Sequence, residues 1–135
     1  MDADQIALLG ASMPLATTLG IEFDSASPGV VEAHLEWRQE LCTAGAVMHG
    51  GAVMALADTV GAIAAFLNLP SGATGTTTVE SKTNFLGAVR EGALRAVARP
   101  LHVGRTTIVV ETLLTTGDDE RLVAKVTQTQ LVMGR

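Results

Sequence analysis

The run from Gly51 to Leu67 contains Ala, Val, Met, Leu, Ile and Phe and a single ionisable group, Asp58. A length of about 17 residues favours helix over strand, because strands seldom pass ten residues. A helix that is apolar on all sides is expected to be buried on all sides. Pro70, Ser71 and Gly72 end it. Whatever else this chain folds into must therefore wrap this helix. A curved antiparallel sheet, closed on its open side by another sheet, meets that demand; one chain of 135 residues has too little else to supply that closure, and a second copy would.

The flanking segments supply strands. Residues 2–17 are expected to form a short helix, capped by Asp2 or Asp4 and disturbed at its end by Pro14. Gly20 to Asp24 and Val30 to Trp37 read as strands joined at Ser27-Pro28-Gly29. In the second, Val31, Ala33, Leu35 and Trp37 share one face while Glu32, His34 and Glu36 share the other. Residues 38–48 read as a loop. Four further strands are expected near Thr76–Leu86, Ala93–Val103, Thr106–Thr116 and Leu122–Met133. Turns at Arg90-Glu91-Gly92, Val103-Gly104-Arg105 and Gly117 to Glu120 make the last three an antiparallel meander. The class is α+β, and 135 residues without a linker or repeat read as one domain, 1–135.

Composition narrows the function classes. Hydrophobic residues reach 47% and charged ones only 17%, a surplus of apolar surface that implies cover by partner subunits. Net charge is −5, and the nine basic residues scattered from Arg38 to Arg135 form no cluster. Trp37, Phe23, Phe66 and Phe85 are the only aromatics. Neither pattern fits nucleic-acid binding. Cys42 alone permits no internal disulfide and no thiolate metal site. The acidic N-terminus is unlike a signal peptide, and the apolar run is too short and too charged to span a bilayer. A cytoplasmic protein with no membrane contact is expected.

Asp58 carries the chemistry. Burial of an unpaired carboxylate costs several kcal/mol, and no Lys or Arg lies within a helical turn of it. Either it finds a hydrogen-bond partner, on a neighbouring strand or at Thr59, or it stands at a cleft where function repays the cost. His49-Gly50-Gly51 opens the same helix. Helix N-termini present unpaired N–H groups and positive dipole, and glycines there allow a substrate carbonyl close approach, as an oxyanion hole requires. The same glycines could serve only a tight turn, with His49 near the N-cap. Gly50 and Asp58 are eight residues apart, ~12 Å at 1.5 Å per residue. One carbonyl cannot touch both, so joint action in one reaction needs two helices packed antiparallel about a two-fold axis.

The string from His49 to Thr59, with Thr83-Asn84-Phe85-Leu86-Gly87 and His102-Val103-Gly104-Arg105 downstream, resembles hotdog-fold acyl-CoA thioesterases. The likeness is to the phenylacetic-acid-degradation type and the related Arthrobacter-type 4-hydroxybenzoyl-CoA thioesterases. The resemblance implies a curved sheet around the long helix, dimers with a continuous sheet, and tetramers. It implies that Asp58 is the catalytic carboxylate, attacking the thioester or activating water. Gly50 would donate its N–H to the thioester oxygen, with His49 and Gly51 beside it. Fifteen residues before the carboxylate the family often carries Gln or Asn; here stands Thr43. Four residues after it some members carry Ser or Thr; here stands Ala62. Thr77 or Thr78 would then supply the hydroxyl. Gly104-Arg105 matches the family's turn and leads the candidates for coenzyme A phosphates, ahead of Arg90, Lys82 and Arg99.

The expected activity is hydrolysis of small aromatic or short- to medium-chain acyl-CoA, with no cofactor beyond the coenzyme A of the substrate. Two other readings compete. A hotdog-fold dehydratase or hydratase would pair His49 with Asp58, but the Pro-Gly-rich histidine loop of those families is absent. A non-catalytic acyl-CoA binding protein would need a reporter domain for which the chain has no room. Cys42 with His49 lacks a third orienting group, and His34, His49 and His102 lack metal-ligand spacing.

Overall fold

Strands of largely alternating apolar and polar residues, interrupted by bulges, pair into one six-stranded antiparallel sheet with the long helix against its inner face. The computed structural model describes residues 1–134; Arg135 lies outside them. Its elements are α1 (Ala3–Ala11), α2 (Pro14–Leu19), β1 (Glu22–Ala26), β2 (Val31–Glu36), α3 (Gly50–Phe66), β3 (Gly75–Phe85), β4 (Ala93–Val103), β5 (Thr107–Thr116) and β6 (Arg121–Met133). The sheet order is β1-β2-β4-β5-β6-β3. β4, β5 and β6 form the expected meander, and β3 returns antiparallel to β6 at the far edge. This is the hotdog architecture.

The N-terminal helix differs from expectation. Asp2 caps α1 and forms a capping box with Gln5, but the helix stops at Ala11. Pro14 opens a second helix, where its fixed φ and missing N–H suit the first turn. Gly20, at φ 83°, ends α2 in the left-handed region, so β1 starts at Glu22 instead of Gly20.

Small residues let α3 approach the sheet closely. Ala52, Ala57, Gly61, Ala64 and Ala65 are buried on the helix, and Ala33, Ala96, Ala98 and Ala124 are buried on the strands. Leu56 and Val60 fill the space between with no exposed surface. Each such aliphatic side chain contributes about 1.5–3 kcal/mol by leaving water.

Within one chain the helix keeps an open side, where the sequence expectation left the cover to a second copy. Gly51, Met54, Asp58 and Phe66 lie on an open stripe, with Met54 44% and Phe66 50% exposed. The spacing of three and four residues puts them on one face. β3 is the second open element. Among the described residues it pairs with β6 alone and leaves an edge of unpaired backbone groups, with Val79 57% and Phe85 53% exposed.

Candidate active site

Asp58 projects from the open stripe of α3 and makes no hydrogen bond or ion pair among the described residues. Thr59, the neighbour that could have satisfied it, donates its hydroxyl to the Ala55 carbonyl at 2.7 Å. The carboxylate reaches solvent in the isolated chain. Even so, the protein around it removes enough water to raise its pKa above the ordinary 3.8. Desolvation without a compensating partner marks a functional carboxylate more than a structural one.

At the helix N-terminus the structure divides the labour. His49 is the N-cap, and its Nδ1 accepts the Gly51 N–H at 2.7 Å. The ring therefore holds its proton on Nε2 when neutral. Ala52 and Val53 donate to the His49 carbonyl. Gly50 N–H has no acceptor among the described residues, so it is the donor left for a substrate oxygen. A Cβ on Gly51 would sit 2.9 Å from His49 Nδ1, so glycine there is a condition of the cap. A Cβ on Gly50 would sit 3.2 Å from the Phe85 ring of β3, which gives that glycine a packing role as well.

The segment before α3 is a tight loop. Cys42 bridges to Met48, Thr43 N–H donates to the Val47 carbonyl at 2.8 Å, and Gly45 and Ala46 turn the chain at positive φ. Trp37 Nε1 braces the Ala46 carbonyl at 3.2 Å. Thr43 is exposed on this loop, and Cys42 is a free thiol donating to the Arg38 carbonyl. Ala62 lies partly buried one turn beyond Asp58 on the same side of α3.

Of the two candidate threonines on β3, Thr78 pairs with buried Gln130 and faces inward, while Thr77 pairs with exposed Leu131 and faces outward. A bulge at Val79 then shifts the register. Plain alternation would set Glu80 on the same side as Thr78; it instead pairs with Thr129 and accepts its hydroxyl on the outer face at 3.3 Å. One inserted residue reverses the pleat, and alternation read from sequence cannot see it.

Gly104 N–H closes the β4–β5 turn on the Thr107 carbonyl at 2.9 Å. A Cβ there would meet His102 Nε2 at 2.6 Å. Arg105 is exposed in this turn. Leu131 pairs with both Thr77 and Thr107, so the turn stands at the end of the sheet where β3 begins. Lys82, Arg90 and Arg99 are exposed elsewhere, and none of the four enters a salt bridge among the described residues.

A hollow of about 660 Å³ between α1 and β1 lies away from all these groups. A smaller one of about 300 Å³ opens beside His49 and Gly51, lined also by Leu15, Leu19 and Cys42. Neither is lined by Asp58.

Two residues that sequence reasoning passed over stand out. Gln128 and Gln130 are almost wholly buried at inward positions of β6. Their signal was available: the inward alternation of that strand runs Ala124, Val126, and then glutamine twice.

The thioesterase superfamily profile matches residues 45–123, from the loop before α3 to the start of β6. The chain belongs to the thioesterase superfamily. A Mycobacterium tuberculosis protein bearing an esterase name is 31% identical over 124 residues, 90% of this chain and 88% of its own. The Escherichia coli 1,4-dihydroxy-2-naphthoyl-CoA hydrolase is 30% identical over 86 residues, 64% of this chain and 62% of its own. The crystal structure of a mutant Pseudomonas aeruginosa thioesterase superposes with a TM-score of 0.88 at 29% identity, covering 96% of this chain and 94% of that one. The chain is a thioester hydrolase of the hotdog fold. No helix among the described residues is long and apolar enough to cross a membrane.

Proposed function

We propose that this thioesterase hydrolyses acyl-CoA, with small aromatic or short- to medium-chain acyl groups, in sites shared between two copies of the chain. One observation carries the reading. An unpaired, partly desolvated Asp58 carboxylate and an unpaired Gly50 N–H occupy the same continuous helix, eight residues apart. That separation is ~12 Å, too far for one thioester to touch both. Two antiparallel helices would bring the donor of one chain to the carboxylate of the other. The open stripe on α3 and the unpaired edge of β3 are surfaces such a dimer would cover. A tetramer would form by pairing two such dimers.

In this scheme Gly50 N–H, with His49 beside it, holds the thioester oxygen as it becomes negative. The Asp58 carboxylate either attacks the carbonyl carbon, forming an anhydride that water then cleaves, or takes a proton from an attacking water. In both routes a C–O bond replaces the C–S bond and the departing sulfur of coenzyme A takes up a proton. Thr43, Ala62 and Thr78 border the acyl group. Arg105 in the Gly104 turn faces the coenzyme's phosphates. The chemistry needs no further cofactor, and the free Cys42 suits the reducing cytoplasm. The acyl-CoA assignment draws support from the Escherichia coli relative, whose name specifies an acyl-CoA.

Thiol release from a panel of acyl-CoAs tests the substrate class. Arg105→Ala should raise KM for the CoA thioester and leave the matching N-acetylcysteamine thioester unaffected. Mixed dimers test the shared site. Asp58→Asn and Gly50→Pro chains, each inactive alone, should regain about one working site per mixed dimer. Mixed dimers as inactive as their parents would overturn the shared geometry.

A further inference from the structure

The two buried glutamines form a one-way hydrogen-bond chain. Gln128 Nε2 donates to the Ala57 carbonyl at 3.2 Å. Gln130 Nε2 donates to Gln128 Oε1 at 2.6 Å and to Thr78 Oγ1 at 2.6 Å. Both side chains are less than 2% exposed, in a core built mainly of Ala, Val, Leu and Ile. Two primary amides there cost desolvation that any aliphatic residue would avoid.

The direction of the chain is fixed at one end by the backbone. A carbonyl only accepts, so the amide nitrogen of Gln128 must face Ala57 and its oxygen must face Gln130. Gln130 must then present its nitrogen to that oxygen. Its second N–H goes to Thr78. Thr78 Oγ1 is consequently an acceptor on its inner side, and its own proton is left for the exposed side of β3. Amide orientation follows here from connectivity and not from preference. Gly61 makes room for this arrangement, since a Cβ there would lie 2.0 Å from Gln128 Nε2. The chain also starts on the residue preceding Asp58, so it ties the turn carrying the carboxylate to the strand carrying the hydroxyl.

We infer that Gln130 is a positioning residue that commits the Thr78 hydroxyl to donate into the thioester cleft. Gln128 sets its polarity from the Ala57 carbonyl. The inference rests on the shared-site reading and adds to it a second, oriented donor for the substrate's oxygen or the attacking water.

The test is a cycle of kcat and KM on benzoyl-CoA, or on hexanoyl-CoA where the aromatic thioester turns over more slowly. Thr78→Val and Gln130→Met should each lower kcat by about tenfold or more, the scale of a lost transition-state donor, with KM within about twofold. The double variant should be no slower than Thr78→Val alone, and Thr78→Ser should keep most of the activity. Gln130→Glu gives a readout that packing alone would not move. Its activity should fall as pH rises and the introduced carboxyl ionises, because an ionised carboxylate accepts the Thr78 proton instead of donating. Additive losses in the double variant, parental kcat in Gln130→Met, or an unaltered pH profile in Gln130→Glu would each overturn the inference. Asp58→Asn, measured alongside, separates the two levels: parental activity there would defeat the shared-site reading itself, whatever Gln130 does.

Discussion

Adding one methyl group at Gly61 tests the notch between helix and sheet. An ideal Cβ at this position lies 2.0 Å from Gln128 Nε2, 2.6 Å from Cδ and 3.2 Å from Oε1. The carboxamide must move by more than an ångström, and its 3.2 Å bond to Ala57 cannot survive that shift. Gln128 has no exposed surface, so water cannot replace the lost partner. Alanine gains about 1 kcal/mol of helix propensity over glycine. Against this stand overpacking of about 1–3 kcal/mol and an unsatisfied buried amide of about 1–3 kcal/mol. Gly61→Ala should therefore destabilise by about 1–5 kcal/mol, measured by urea denaturation at matched protein concentration. Gln128→Ala should cost less in the Gly61→Ala background than in the parent, because the methyl then occupies vacated space. A coupling of about 1–3 kcal/mol is expected for residues in such contact. A Gly61→Ala protein as stable as its parent, or strict additivity with Gln128→Ala, would refute the packing argument.

Asp58→Asn should lower kcat by about 10²–10⁴-fold, the range for a lost acid–base group or more, while circular dichroism and oligomeric state stay unchanged. The same variant should be more stable than the parent at neutral pH. Burial raises the carboxyl, so the folded state keeps its proton to higher pH than the unfolded chain. Stability is then full below the unfolded value of 3.8 and is lost as pH rises through the folded one. The gain from Asn should consequently shrink as pH falls toward 3.8; a gain that is constant with pH would contradict it. Thr112 is fully buried and its hydroxyl has no partner among the described residues, so Thr112→Val should stabilise by about 1 kcal/mol, read as a Tm rise of about 3–5 °C.

The parts of the fold that sequence made legible are those governed by local chemistry. Asp2 caps α1 as its residue type requires, Gly92 and Gly117 turn the chain at positive φ where turns were expected, and β4 spans Ala93–Val103 as its alternation indicates. The candidate carboxylate on α3 stood out for a similar reason: a single charge inside an apolar helix is conspicuous. What escaped depends on neighbours distant in sequence. Gln128 meets Ala57 across 71 positions, and Gln130 meets Thr78 across 52. That α3 needs cover beyond one chain was legible from its apolar composition, but which of its faces stays open depends on where the strands pack.

The displaced residue at Val79 divides β3 into two stretches of opposite phase. Before it, even-numbered Thr76 and Thr78 look toward the helix; after it, odd-numbered Ser81, Thr83 and Phe85 do. Were Val79 to take a regular place in the ladder, one stretch would have to turn over relative to the other. With the upstream half held, Glu80 and Lys82 would swing into the apolar interior; with the downstream half held, Thr78 would leave Gln130 for the outer surface. Removing Val79 altogether would keep both faces, since Thr78 and Glu80 already oppose the neighbours Gln130 and Thr129. What lines the cleft therefore depends on one residue staying out of the pairing.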